Sequence, residues 1–205
     1  RYDTAYISDN PWYGRLYQEI DSDLFYYEIG KRDAFDGAVT HPATMTDLAI
    51  KRVPEFSDKK LIIHYLQPHD PWFDDNGNEL FHLPSSVPYH VNKNGYEVNK
   101  IQEAYDSSLR LVLSEVERLL EHLDGKTVIT SDHGELINDR MWPVPVRRYE
   151  HPEGIYTEEL TKVPWFIPKY DNRKEIDVAD SPRKWRWNEP HNQDRLSQLE
   201  KLGYL

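Results

Sequence analysis

Residues 101–123 carry Tyr105, Leu109, Val112, Val116, Leu119 and Leu123, apolar positions that step by 4, 3, 4, 3 and 4. That period lays them on one face of a helix. Asp124-Gly125 closes the run, with the glycine suited to the left-handed position after a helix end. An apolar strand, residues 126–131 (KTVITS), follows at once. A helix that turns straight into a strand is half of a strand–helix–strand crossover, and it restricts the chain to the α/β class. The expected architecture is a mostly parallel sheet sandwiched between helices.

Further strands are expected at residues 4–8, 24–29, 60–66 and 162–168, and a helix at 44–53, where Met45, Leu48, Ala49 and Val53 recur at helical spacing. Residues 60–66 (KLIIHYL) read as a near-continuous apolar strand, the kind buried on both faces of a parallel sheet. The prolines of 162–168 place that strand near an edge. Residues 70–99 and 138–153 are rich in Pro, Asn, Asp and Gly and read as long loops. The expected organisation is one α/β domain over residues 1–170 and a polar tail over 171–205. The tail ends in a short amphipathic helix at 195–202, packed on the domain through Leu196, Leu199 and Leu202.

Composition removes several classes of function. The 205 residues include 36 Asp+Glu against 25 Lys+Arg, a net charge of −11. Phosphate neutralisation needs a basic face, so nucleic acid is not an expected partner. An anionic substrate needs a local cationic centre, such as a metal. There is no cysteine, which excludes disulfides, thiolate metal sites and a thiol nucleophile. Aromatic residues make up 13% of the chain, too many for a disordered polymer. The acidic excess fits either a high-salt source or an ordinary acidic soluble protein. The longest apolar runs, at 61–63 and 165–167, are far short of the roughly 18–20 residues of a membrane span. A soluble, cytoplasmic protein is the expectation. The chain opens on Arg1 rather than Met, and reads as processed or as a piece of something longer.

The chemistry-bearing residues stand at strand ends. Thr130-Ser131-Asp132-His133-Gly134-Glu135 follows the strand at 126–131. Open α/β sheets collect ligands outside the carboxyl ends of their strands. A carboxylate beside an imidazole there suits a divalent cation, with Asp132 and His133 as ligands and Glu135 behind them to orient one. Gly134 lets the backbone turn tightly. The same residues read equally well as a strand-end Asp that caps a helix, with a His beside it. Gln67-Pro68-His69-Asp70-Pro71-Trp72 follows the strand at 60–66. His69 serves there as a ligand or as general acid to a leaving oxygen. Asp70 orients His69 or caps a turn. His64, inside the strand, reads as a hydrogen-bonded sheet residue. His151, in Tyr149-Glu150-His151-Pro152-Glu153-Gly154, fits a loop ligand for metal or substrate, and by itself also reads as an exposed loop histidine. His41, His82, His90, His122 and His191 have no supporting context. Calcium, magnesium, manganese and zinc all remain open, although imidazole suits zinc or manganese and calcium wants more oxygen donors. A Gly-rich phosphate loop, a G-x-S-x-G elbow and an H-E-x-x-H helix are absent from the sequence.

The order of these segments resembles a known family. PHDPW after its strand, AYDSSLRLVLSEVERLLEHL, TVITSDHGE, YEHPEGIYTEELTKVPWFI and the ending RLSQLEKLGYL look like the C-terminal two-thirds of a sulfatase-like hydrolase of the alkaline phosphatase superfamily. The nearest likeness is to such proteins of halophilic archaea. The resemblance implies an alkaline phosphatase-like fold and metal-dependent hydrolysis or transfer of sulfate or phosphate esters. It implies metal ligation by Asp132 and His133, contact of His69 with the transferred group or its leaving oxygen, and help from His151 toward metal or substrate. Such enzymes carry a C/S-x-P-S-R nucleophile segment, which is not found in these 205 residues, so no nucleophile is assigned. The expectation is therefore a site completed by an N-terminal segment or a second chain. The alternatives are a non-catalytic binding or assembly module and a phospho-headgroup transferase.

Overall fold

The computed structural model describes residues 2–16, 19–20, 22–83, 87–95, 97–141 and 146–183. The chain begins with β1 (Thr4–Ser8), α1 (Trp12–Leu16) and β2 (Tyr26–Ile29), then α2 (Pro42–Arg52) and β3 (Lys60–His64). Short strands β4 (Trp72–Phe73) and β5 (Glu79–Phe81) precede α3 (Val87–Asn94) and the long α4 (Val98–Leu120). Strands β6 (Ile129–Thr130), β7 (Leu136–Arg140) and β8 (Arg147–Glu150), helix α5 (Glu158–Thr161) and strand β9 (Trp165–Phe166) follow.

β1 lies between β2 and β3 and runs parallel to both. Its Ala5 and Ile7, which share one face of the strand, are fully buried, whereas Thr4 and Tyr6 on the other face are half-buried. The chain adds β2 on one side of β1 and then crosses to add β3 on the other. The strand order thus reverses beside β1, and ligands of open α/β sheets bind at the carboxyl ends of such a point. The protein is therefore mixed α/β, but the parallel sheet is small. The pairs β4–β5, β6–β9 and β7–β8 are all antiparallel.

α2 starts on Pro42 with His41 before it, whose ring nitrogen accepts the Ala43 N–H at 3.1 Å. Its last residue, Arg52, grips Glu28 of β2 and Glu55, each at 2.6 Å. α2 packs on α4. α4 buries Ile101, Ala104, Ser107, Ser108, Leu111, Val112 and Leu119. That face is rotated from the expected one, and Tyr105, Leu109 and Val116 are only half-buried. Hydrogen bonding explains the rotation. Ser107 Oγ donates to the Phe73 carbonyl at 2.7 Å, and Ser108 Oγ accepts the Phe73 N–H at 2.7 Å. These serines dock α4 on β4 through hydrogen bonds. Phe73 then packs with Ala34, Ala38, Val39, Leu66 and Leu111. Trp72 joins a second cluster with Leu83, Ile101 and Ala104.

Two expected loops hold structure instead. Residues 70–99 contain β4, β5 and α3, and residues 138–153 contain most of the β7–β8 hairpin. Both hairpins are short, and the bulges in each break the alternation that marks a strand. The expected strand at 60–66 ends at His64, and its burial differs from expectation. β3 is hydrogen-bonded only to β1 among the described strands, and Ile62 is 48% exposed. In β9, Trp165 and Phe166 are 68% and 60% exposed.

The first part of the expected tail lies along the domain. Ala179 bridges Tyr2, Lys59 Nζ reaches Asp177 at 3.3 Å, and Arg183 bonds Glu55 at 2.8 Å while lying over the Tyr26 and Phe56 rings. The expected helix at 195–202 lies outside the described residues.

Candidate metal centre

Asp132 and His133, in the segment after β6, come near the parallel sheet of β1 and β3. The charge of Asp132, just past β6, acts on both Tyr6 of β1 and His64 of β3. His64 is the hydrogen-bonded sheet residue its place in the strand suggests. Its Nδ1 meets Tyr6 Oη at 2.7 Å, the two rings stack, and burial holds its pKa below the usual histidine range. Ser8 Oγ donates to Tyr6 Oη at 3.2 Å.

Three segments bring histidines together. The His133 and His151 ring centroids are 4.2 Å apart, and those of His69 and His151 are 5.9 Å apart. His133 is held by its neighbours: Asp132 Oδ1 accepts its backbone N–H at 3.0 Å, and its own Nδ1 meets the Gly134 carbonyl at 2.9 Å. Asp132 Oδ1 also lies 3.8 Å from His133 Nε2. Both residues are exposed.

Glu135 and His151 meet because a hairpin sets them opposite each other. Leu136 of β7 pairs with Glu150 of β8. The next residue outward on each strand is Glu135 and His151, and His151 Nδ1 lies 2.8 Å from Glu135 Oε2. That hydrogen bond raises the His151 pKa, against the opposing effect of burial. Gly134 is fixed by crowding rather than by a special turn. Its N–H donates to the Leu160 carbonyl at 2.8 Å, and a Cβ there would stand 1.9 Å from the Glu159 carbonyl oxygen.

Among the described residues, His133, Glu135 and His151 form a group that can hold a metal ion, with one donor atom from each within 4.8 Å of the others. Asp132 borders this group through His133. His69 adjoins it through His151, and His69 Nδ1 points to the Asp70 backbone carbonyl. The Asp70 carboxylate turns away from His69: Oδ2 pairs with His82 Nδ1 and Oδ1 accepts the Leu83 N–H at 3.0 Å. His82, which sequence reasoning passed over, thus ties the His69 segment to the end of β5. Tyr6 and Ser8 were also missed. Ser8 carried the same signal as the other two segments, a polar group at the carboxyl end of a strand, whereas Tyr6 stands mid-strand and carried none.

No family model matches the chain, and no curated protein is detectably similar to it. Among the described residues, no helix is long and apolar enough to cross a membrane.

Proposed function

We propose that this chain carries the metal-holding part of a sulfatase-like site that acts on sulfate or phosphate esters. The observation that carries the reading is the meeting of His69, His133 and His151, from three separate segments that follow β3, β6 and β8. The resemblance of the TSDHGE and PHDPW segments to the alkaline phosphatase superfamily supports it, as does the parallel β2–β1–β3 sheet. Asp132 and His133 then serve the cation. His69 faces the leaving oxygen as general acid, and Asp70, anchored by His82, holds the segment on which His69 sits. A bound divalent cation supplies the positive charge that a tetrahedral oxyanion needs in a chain of net charge −11. The nucleophile comes from a polypeptide segment other than these residues. Headgroup transfer is the same chemistry with an alcohol as acceptor in place of water.

A second reading has its own observation. The exposed Ile62, Trp165 and Phe166 favour a sulfatase-like scaffold used for binding or assembly. Oxyanion binding separates the two readings without needing a nucleophile. Calorimetric titration with orthovanadate and with sulfate is expected to show binding only when a divalent ion is present, weakened in His69→Ala and His133→Ala. Binding that ignores the ion and both substitutions removes the hydrolase reading and leaves the assembly reading.

A further inference from the structure

We infer that residues 172–183 are a strap that sets the spacing of β3 and β6, and with it the spacing of His69 and His133, and that Lys59 and Lys174 are its positioning residues. His69 follows β3, and His133 follows β6. Among the described strands β3 is hydrogen-bonded only to β1 and β6 only to β9, so no ladder joins the two. Strands without a shared ladder take their spacing from whatever is bonded across them.

The strap touches the entries of four strands in turn. At Gly125, on the way from α4 into β6, it passes so close that a Cβ would stand 3.1 Å from Lys174 Cβ. Lys174 Nζ donates to the Phe56 carbonyl at 2.6 Å, and the Asp177 N–H donates to the Asp58 carbonyl at 2.9 Å, both just ahead of β3. The Ala179 N–H donates to the Tyr2 carbonyl at 3.0 Å ahead of β1, and the Arg183 N–H to the Phe25 carbonyl at 2.9 Å ahead of β2. The strap thus meets β6, β3, β1 and β2 in that order, which continues the order of the parallel sheet past β3. Lys59 is its central anchor. The Lys59 side chain is only 4% exposed. Its ammonium meets Asp58 at 2.7 Å and the Asp177 carbonyl at 3.2 Å, and lies 4.9 Å from the Phe25 ring centroid. A buried ammonium needs oxygens in place of its lost water, so this one lysine binds the strap to the entries of β3 and β2. A chain held at Gly125 and again at Asp58 cannot slide, and its length fixes how far the entry of β6 stands from that of β3. Packed interiors compress little and pass such displacements on, so the residues after each strand move with its entry.

The inference rests on reading His69 and His133 as parts of one site, and it gives that site a support remote from its chemistry. Lys59→Met and Lys174→Met each remove an ammonium and keep the length of the side chain. Arg118→Ala is the control: it cuts bonds between α4 and α2 and leaves the strap intact. Nuclear magnetic resonance of the histidine rings is expected to show shifted His69 and His133 signals in both lysine variants and wild-type signals in Arg118→Ala. A role in stability alone would move neither set, or move them equally in the control. Calorimetric titration with orthovanadate and manganese chloride is expected to show binding about two- to thirtyfold weaker in the lysine variants. Far-ultraviolet circular dichroism establishes the fold of each variant, and Lys174→Met, at a half-buried position, carries the comparison by itself where Lys59→Met does not fold. Wild-type His69 and His133 signals in the lysine variants, or equal shifts in Arg118→Ala, overturn the inference. Shifted signals in a protein that binds no orthovanadate remove the hydrolase reading alone. Orthovanadate bound as tightly by both lysine variants as by wild type, with unmoved histidine signals, removes this inference alone.

Discussion

Arg32 Nη1 donates to Asp9 Oδ1 at 2.6 Å, just past the carboxyl end of β1 and almost closed to water. Arg32 Nη2 also reaches the Asp9 carbonyl at 2.7 Å, and the Thr40 N–H donates to the same carboxylate at 3.1 Å. The pair anchors the turn that leaves the central strand.

Its pH dependence follows from burial. Loss of solvent is the largest influence on Asp9 and pushes its carboxyl up to about 6, against the pull of Arg32 and Thr40. An unfolded aspartate titrates near ~3.9. Between those values the folded protein holds a proton that the unfolded chain has released. This group therefore favours folding at low pH, and that contribution is lost as pH rises through about 6. In urea melts, wild type is expected to gain stability relative to Asp9→Asn as pH falls across that window. A difference that stays constant with pH would refute the assignment. Arg32→Leu leaves a buried carboxylate unpaired and should cost about 3–5 kcal/mol near neutral pH, and less in acid, where Asp9 is protonated.

Ser108 and Ser107 make a graded pair of predictions. Ser108→Ala orphans the buried Phe73 N–H, and leaving a buried donor unsatisfied costs about 1–3 kcal/mol. Ser107→Ala leaves the Phe73 carbonyl with Ser108 Oγ at 3.2 Å, so its cost should be near about 1 kcal/mol. Chemical denaturation of both variants checks the order. Equal costs would mean that these hydroxyls do not fix the seat of α4.

Gly134→Ala tests the packing beneath the candidate site. The new Cβ meets the Glu159 carbonyl oxygen, a backbone atom that cannot simply swing aside. Overpacking of this kind costs about 1–3 kcal/mol. It should also push α5 away and shift His133 relative to His151. Thermal unfolding reads the first effect, and nuclear magnetic resonance of the histidine rings reads the second. An unchanged melting temperature with unchanged His133 and His151 signals would show that α5 does not position the site.

These positions also show what the sequence could reveal. β1 is found where it was expected, at Thr4–Ser8, because a short alternating run before Asp9-Asn10-Pro11 carries its own stop signal. α4 was legible as a helix, but its buried face was not. Hydrophobic periodicity gives serine no weight, whereas Ser107 and Ser108 bury themselves through hydrogen bonds to Phe73. The β4–β5 hairpin turns at Asn76-Gly77, where Gly77 has φ +83°, and an Asn-Gly pair between apolar residues was an available turn signal. In the site, His69, His133 and His151 were each visible as strand-end or loop histidines. The facing of Glu135 and His151 was not visible, because it depends on the register of β7 and β8. That register passes a bulge near Asn138, whose φ is +67°. The turn of Asp70 to His82 is likewise a tertiary fact, with no local pattern behind it.

The exposed edge gives the last prediction. Ile62 on the outer strand β3 and Trp165 and Phe166 on β9 present apolar surface beside strand edges that are unpaired among the described residues, a combination that favours edge-to-edge pairing. The net charge of −11 opposes association between copies, but only over the screening distance, about 10 Å at 0.1 M salt. Sedimentation velocity should therefore show a coefficient that rises with both protein concentration and salt. Ile62→Lys places a charge on the edge, and Trp165→Ser removes the largest exposed ring. Each should return the chain toward monomer while changing stability by no more than about 0.5 kcal/mol, because the side chains are largely solvated. A coefficient independent of salt in wild type, or one unmoved by both substitutions, would place the cohesive surface elsewhere.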